Sequence, residues 1–234
     1  EYEQWLESHQ PFHWFAEFYE IINENGGFDV IIGNPPYVTY PNKSIEYELL
    51  NFETLKSSNL FSYCMERASA LLNGNGWFSY IILMASITTK RMKYLRKKMF
   101  SKYNKHWIIN LAGDWHPGKL FDGVRSQFTI WISNWNINSN FELQTTNYLR
   151  WVNEERENLL YNISYTLNSE IYFEKPLFKS GSLIENEILG KIRNKKHSIL
   201  IYKSNTSTKH KFYYRNAGIA YYQIVFNFNQ YFKI

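Results

Sequence analysis

Four consecutive residues, Asn34-Pro35-Pro36-Tyr37, carry the groups best suited to chemistry in this sequence. The Asn34 side-chain oxygen and the Pro35 carbonyl both accept hydrogen bonds, and the Pro36 ring limits how that carbonyl can point. Tyr37 adds a flat aromatic ring. Two acceptors beside a ring suit a planar group that bears an NH2, such as an adenine amino group or a primary amide. Stacking a base on the ring would contribute about 1–3 kcal/mol.

A buried strand is predicted to present this tetrapeptide. Val30, Ile31 and Ile32 form a continuous apolar, β-branched run, which is typical of a strand covered on both faces of a parallel sheet. Gly33 permits a tight turn, and the two prolines then end the strand. We expect a rigid polar tip at the carboxyl end of a central strand, where open α/β sheets bind ligands. The structural alternative is a Pro-Pro turn with Tyr37 as packing.

The segment from Phe28 to Tyr37 resembles motif IV of the amino-group methyltransferases that use S-adenosylmethionine, in the form typical of N6-adenine DNA methyltransferases. The flanking residues 11–18 and 26–29 resemble the large restriction-modification enzymes that join methylation to DNA cleavage in one polypeptide, the type IIG group and its relatives. The resemblance covers roughly residues 11–135 and is weaker beyond them.

This resemblance implies a site-specific DNA adenine-N6 methyltransferase, with Asn34, Pro35, Pro36 and Tyr37 as its catalytic residues. The target adenine would be flipped out of the duplex, because its amino nitrogen is otherwise engaged in base pairing. Asn34 and the Pro35 carbonyl would accept the two amino hydrogens while Tyr37 stacks on the base. The family also implies a second stacking aromatic, which the sequence does not locate.

The implied cofactor is S-adenosylmethionine, yet its binding residues stay unknown. In the family, a strand and a Gly-rich turn upstream of motif IV bind it, and neither precedes Phe28 here. We therefore expect the C-terminal half of a catalytic domain, inactive alone. Its expected partners are double-stranded DNA and an upstream methyltransferase half, in the same polypeptide or a separate chain.

The residues after the tip predict an α/β fold, the second half of a Rossmann-like methyltransferase sheet followed by a smaller mixed α+β region. Helical periodicity covers residues 57–73, with Ser57 or Ser58 as cap, and residues 88–103, with Thr88 or Thr89 as cap. Apolar runs predict strands at 77–84, 107–112 and 127–133, and in the family the last strand is antiparallel. A capping box at residues 182–185 predicts a short helix with Ile184, Ile188, Leu189 and Ile192 facing inward.

The charge distribution suggests three regions. Residues 1–175 carry 16 Lys and Arg against 19 Asp and Glu, whereas residues 176–234 carry 10 against 2. We predict a catalytic half-domain at 1–135, a connector at 136–175, and part of a basic target-recognition domain at 176–234. A basic, solubilising surface is the alternative for the last region.

Candidate DNA-binding residues follow from basic charge interleaved with aromatic rings. Tyr213, Tyr214 and Arg215 lie in the basic C-terminal region, within strands predicted at 198–202, 211–215 and 219–228. Arg125 lies in the loop before the last sheet strand, where it could meet a phosphate or pair with Asp122. Residues 90–105 contain eight basic residues and no acid, a pattern that we interpret as a solvated helix face, with DNA contact as the alternative.

Other classes are less compatible with the composition. The single cysteine, Cys64, excludes an internal disulfide and fits a reducing compartment. We predict no metal site, since the His9 and His13 pair has no further ligands nearby. No apolar run is long enough to span a bilayer, so we expect no membrane association and a cytoplasmic location of the prokaryotic type.

Two rival functions stay open. A protein methyltransferase that acts on a glutamine amide also uses Asn-Pro-Pro-Tyr, but such enzymes end soon after the sheet, whereas here a basic stretch of about 100 residues follows. The second rival is a non-enzymatic DNA-binding remnant or subunit, which the missing cofactor motif keeps open.

Overall fold

The computed structural model describes residues 1–10, 12–41, 48–113, 119–161, 163–168, 174–177 and 179–193. The chain divides into two compact units, residues 1–192 and 193–234, and the description below concerns the first. The strands predicted at 198–202, 211–215 and 219–228, together with Tyr213, Tyr214 and Arg215, lie outside the described residues.

The described part of the first unit contains six α-helices and six strands. The helices are α1 (Tyr2–His9), α2 (Trp14–Glu17), α3 (Leu60–Leu71), α4 (Ala85–Thr88), α5 (Lys93–Lys102) and α6 (Leu183–Arg193). The strands are β1 (Phe28–Gly33), β2 (Leu72–Leu83), β3 (Lys105–Leu111), β4 (Phe128–Asn134), β5 (Glu142–Leu149) and β6 (Thr166–Asn168). Short 3-10 segments at Leu55–Ser57, Lys90–Met92 and Asn153–Asn158, and a π-helical turn at Glu20–Glu24, complete the described elements.

The strands form one mixed sheet in the order β1-β2-β4-β3-β5-β6. β1 and β2 are parallel, and β4 inserts antiparallel between β2 and β3. The α/β class and the antiparallel strand are thus confirmed. The sheet does not stop at residue 135, because β5 pairs parallel with β3 and β6 pairs antiparallel with β5. Residues 136–175, predicted as a connector, therefore contribute two strands, while the domain boundaries themselves stay a prediction.

Helix α3 begins one to two residues later than the predicted caps, Ser57 or Ser58, would place it. Its N-cap is Asn59, whose side chain accepts a hydrogen bond from the Phe61 N–H at 3.3 Å. Ser57 lies in a 3-10 segment and Ser58 adopts a left-handed conformation with φ of 54°, so neither occupies the extended geometry that a cap requires. At its other end the helix stops at Leu71, two residues before the end predicted at residue 73, and the chain passes directly into β2 at Leu72.

The helix predicted over residues 88–103 is divided. Thr88 and Thr89 donate their hydroxyl hydrogens back to the Met84 and Ala85 carbonyls, so they end α4 and cap nothing. The apolar periodicity predicted over residues 88–103 is nevertheless correct, because Met92, Leu95, Met99 and Tyr103 form one buried stripe. It packs with α3 on one face of the sheet in a core that includes Phe61, Met65, Phe78, Ile82, Met92, Leu95, Met99, Tyr103 and Ile108. A smaller cluster on the opposite face includes Ile109, Leu111, Phe128 and Trp151.

Two apolar segments are more exposed than their sequences predict. Among the described residues β1 pairs with β2 alone, so it is an edge strand, and Val30 and Ile32 on its second face are 52% and 76% exposed. In α6 the predicted cap forms, since Ser182 Oγ accepts from the Glu185 N–H at 3.2 Å, but Ile184, Ile188 and Ile192 point to solvent. No described helix is both long and apolar enough to cross a bilayer.

Candidate active site at the carboxyl edge of the sheet

Three segments meet at one edge of the sheet. β1 and β2 run parallel and end together at this edge, where Asn34 follows Gly33. β4 starts from the same edge, because Phe128 pairs with Leu83 and Leu111 at the carboxyl ends of their strands. The Asn34–Tyr37 tip, the turn after β2 and the 119–127 loop therefore share the position where α/β sheets bind ligands.

Asn34 and Tyr37 contact each other directly. The Tyr37 hydroxyl lies within hydrogen-bonding distance of Asn34 Oδ1 and of the Ile81 carbonyl, the latter at 2.9 Å. A hydroxyl has one hydrogen, so it donates to one of the two at a time. Asn34 itself is exposed and Pro35 is buried. The tip is thus tied to β2, and Asn34 Oδ1 keeps lone-pair capacity for a second donor.

Burial raises the pKa of Tyr37 to about 12. The hydroxyl therefore stays protonated at neutral pH and is a hydrogen-bond donor, not a general base. The neutral Tyr37 hydroxyl can donate to Asn34 Oδ1 or to the Ile81 carbonyl, so it orients the Asn34 amide without adding charge to the tip.

The Tyr37 ring packs on a row of aromatic side chains that sequence reasoning missed. Its centroid lies 5.5 Å from that of Phe128, and Phe121 meets Phe128 edge-on at 5.2 Å. Phe128 is fully buried, and Phe121 is half-buried in the 119–127 loop. The row fixes the angle of Tyr37 at the edge. Stacking of a base on the remaining surface of Tyr37 stays a prediction.

Gly33 has a different role from the one predicted. Its φ is not in the left-handed region, and it continues β1 without a turn. A Cβ at this position would stand 2.9 Å from Cε1 of Tyr80 on the neighbouring strand. The glycine is therefore required by the close approach of a ring, and the prolines alone end the strand.

The chain after the tip returns to α3 through fixed contacts. The Leu60 N–H donates to the Val38 carbonyl at 2.9 Å, and the Tyr40 N–H donates to the Ser58 carbonyl at 3.2 Å. The nearly buried carboxylate of Glu66 accepts from the Thr54 N–H at 3.0 Å and from its hydroxyl at 2.7 Å. Residues 53–60 are thus held against α3 beside the tip.

Arg125 is exposed in the loop at this same edge. Among the described residues it forms no ion pair, so the alternative of pairing with Asp122 is not seen. Its position three residues before Phe128 places it within the same segment that carries the aromatic row. The assignment of Arg125 to a phosphate contact stays a prediction.

No cluster of three or more potential metal ligands occurs among the described residues. His13, half of the pair that the sequence offered, instead caps α2, since its Nδ1 accepts from the Ala16 N–H at 3.2 Å. The described residues also contain no Gly-rich strand-to-helix turn of the kind that binds a dinucleotide-sized cofactor.

Comparison with known proteins agrees with this architecture. Residues 1–115 match the model of the Eco57I restriction-modification methylase family. The chain is 35% identical over 117 residues to a protein of Methanocaldococcus jannaschii that is named as a type II restriction enzyme and methyltransferase. That match covers 50% of this chain and 10% of the relative's length. The resemblance to restriction-modification methyltransferases is therefore confirmed.

Two solved structures share the fold. One is a nuclease-deletion mutant of the type ISP restriction-modification enzyme LlaGI with a DNA substrate mimic, at a TM-score of 0.51 and 23% identity, covering 64% of this chain and 15% of that one. The other is the DrdV–DNA complex, at a TM-score of 0.51 and 14% identity, covering 65% and 18%. At these identities the likeness shows the fold alone.

Proposed function

We propose that this chain, whose residues 1–115 match the Eco57I restriction-modification methylase family, supplies the target-base side of a site-specific DNA adenine-N6 methyltransferase. The observation that carries the proposal is the Asn34–Tyr37 tip at the carboxyl edge of the sheet, with an exposed amide oxygen beside a half-buried ring. S-adenosylmethionine would be the methyl donor, and an upstream half of the domain would hold it.

The tip would act by positioning. Asn34 Oδ1 and the Pro35 carbonyl accept the two hydrogens of the adenine amino group, which directs the nitrogen lone pair away from the sheet edge. Tyr37 donates to the amide or to the Ile81 carbonyl and so keeps Asn34 in place. Fixed dipoles of this kind lower a barrier because they need no reorganisation during the reaction.

No thiol nucleophile takes part in this scheme. Cys64 lies in α3, and burial raises the pKa of its thiol, which makes the reactive thiolate scarce at neutral pH. A direct transfer that needs only hydrogen-bond acceptors is consistent with this placement.

The proposal is tested with Asn34→Ala in the enzyme that carries this segment. We expect methylation of adenine-containing duplex to fall by about 100- to 1,000-fold, the range for removing one preorganised polar group, while DNA affinity changes by less than about twofold. Ser139→Ala, at a half-buried position in the loop between β4 and β5, is the control. Near-normal turnover of Asn34→Ala would overturn the assignment.

The two rivals are separated by substrate. A glutamine-amide methyltransferase would transfer the methyl group to a peptide and not to DNA, and a non-enzymatic module would bind DNA with no transfer to either. Parallel assays with duplex and with a glutamine-containing peptide therefore assign the chain to one of the three functions.

A further inference from the structure

A cluster of cations lies on the helical side of the carboxyl edge. We call Lys56, Lys90, Arg91 and Lys93, with Tyr94 between them, the basic patch. The ammonium groups of Lys56 and Lys93 both lie over the Tyr94 ring, 5.6 Å and 5.1 Å from its centroid. Lys56, Lys90 and Arg91 are exposed, and Lys93 and Tyr94 are half-buried. One ring thus holds together two like charges from two different segments.

The topology places this patch beside the candidate active site. Helix α3 connects the parallel strands β1 and β2, so the 3-10 segment with Lys56 that precedes it lies at their carboxyl edge. β2 and β3 are both antiparallel to β4 and hence parallel to each other. The connection between them, including Lys90 and the start of α5 at Lys93, therefore begins at the same edge as Asn34.

The acids near the patch are already engaged. Glu53 pairs with Lys98, and Glu66 accepts from the backbone of residues 53 and 54 while lying 3.9 Å from Lys98. Among the described residues, none of the four cations of the patch forms an ion pair. A concentration of unneutralised positive charge costs self-repulsion, which a polyanion would relieve.

We propose that the basic patch binds the phosphate backbone of the DNA duplex next to the flipped adenine. The inference rests on the proposed DNA substrate and assigns to it a surface separate from the predicted recognition domain. Lysines that contact phosphates orient a duplex without reading its sequence. The patch would therefore set the approach of the strand to the tip, with Tyr94 holding Lys56 and Lys93 in place through cation–π contacts.

The test compares two lysines of the same helix in this 234-residue chain. Lys93→Gln removes a patch charge, and Lys102→Gln removes one charge at the other end of α5, about 13 Å away at 1.5 Å per residue. Duplex affinity is measured by fluorescence anisotropy across a range of salt concentrations. We expect the slope of log K against log salt to become shallower by about 0.9 for Lys93→Gln, as for one lost phosphate contact, and to stay unchanged for Lys102→Gln.

A second measurement uses the wild-type chain and avoids any effect on folding. Surface lysines are acetylated with and without duplex and located by mass spectrometry. Protection of Lys56 and Lys93 but not Lys102 supports the patch. Equal acetylation of all three, equal salt slopes for the two variants, or tighter binding of a single-stranded RNA than of the duplex overturns it.

Failure of this inference is distinguishable from failure of the proposed function. Unchanged duplex binding by Lys93→Gln together with adenine methylation by the enzyme rejects the patch alone. Patch-dependent DNA binding without adenine methylation rejects the methyltransferase assignment alone.

Discussion

Strands β1 and β2 are neighbours with similar apolar sequences and opposite environments. Phe78 and Ile82 of β2 are completely buried between paired strands and two helices, whereas Val30 and Ile32 of β1 are 52% and 76% exposed. β2 has strands on both sides, while β1 pairs with β2 alone among the described residues. The strand that carries the chemical tip is thus the less covered one. Among the described residues its strand pairing comes from one side only.

The largest difference in the free energy of unfolding is expected between Ile→Ala substitutions in β2 and in β1. Ile82→Ala removes side-chain atoms from the closed core and should lower the free energy of unfolding by about 2–5 kcal/mol. Ile32→Ala, in β1, should change it by less than about 0.5 kcal/mol because the side chain is already in water. Urea denaturation of both variants measures the difference. Equal losses of unfolding free energy in the two variants would mean that the Ile32 side chain of β1 is as buried as the Ile82 side chain of β2.

Gly27, directly before β1, should be nearly as sensitive to substitution, because its backbone lies against the junction of α3 and β2. Gly27 has φ of +123°, and an added Cβ would lie 2.6 Å from the Leu71 carbonyl oxygen. Gly27→Ala should therefore lower the free energy of unfolding by about 2–4 kcal/mol through strain and collision. Gly74→Ala, where a Cβ meets nothing within 4 Å, is the matched control. A free energy of unfolding that is unchanged in Gly27→Ala would show that β1 can shift against β2.

The centre of the sheet should respond to acid through His106 in β3. Burial lowers its pKa to about 3, against a smaller opposing effect of the Tyr103 carbonyl. Between pH 6.5 and about 3 the unfolded chain binds a proton that the fold excludes, so stability falls with pH by about 1.4 kcal/mol per unit. His106→Asn should flatten this dependence in denaturation series at pH 7, 6 and 5. An unchanged slope in that variant would place the acid sensitivity elsewhere.

The smallest effect concerns the link between the tip and β2. Tyr37→Phe removes the hydroxyl that reaches Asn34 and the Ile81 carbonyl, and should lower the free energy of unfolding by about 0.5–1.5 kcal/mol. Tyr161→Phe, at a ring that is 83% exposed, should have no measurable effect. The same urea titrations compare the two variants. No loss in Tyr37→Phe would mean that the tip is not tied to β2 through this hydroxyl.

The elements near the tip were predictable because their signals are local. The β-branched run of β1, the apolar stripe of α3 and the double proline each depend on a few adjacent residues. The antiparallel β4 followed from the family resemblance. These elements were correct in type, but the predicted Ser57 or Ser58 cap and the predicted turn at Gly33 were wrong, because both features depend on contacts made by the folded backbone.

The features that could not be predicted from the sequence depend on contacts between residues far apart in the chain. β5 was predicted to belong to a connector because five of its eight residues are polar. Thr145 and Thr146 are nevertheless buried, and their hydroxyls form hydrogen bonds with the backbone of Ser180 and Asn110. The aromatic row places Tyr37 beside Phe121 and Phe128, which follow it by 84 and 91 positions in the chain. No pattern within a single segment predicts such a contact. The exposure of Ile32 similarly depends on strand pairing, since β1 pairs with β2 alone among the described residues, and the residue type does not predict it.

The most direct test of the central claim identifies the methylated atom. The enzyme that carries this chain is incubated with S-adenosylmethionine and duplex DNA, and the digested nucleosides are analysed by mass spectrometry. We predict N6-methyladenine with the wild-type enzyme and none above background with Asn34→Ala at equal DNA occupancy. A methyl group on cytosine, or N6-methyladenine formed equally well by Asn34→Ala, would contradict the assignment of the tip as the amino-group site.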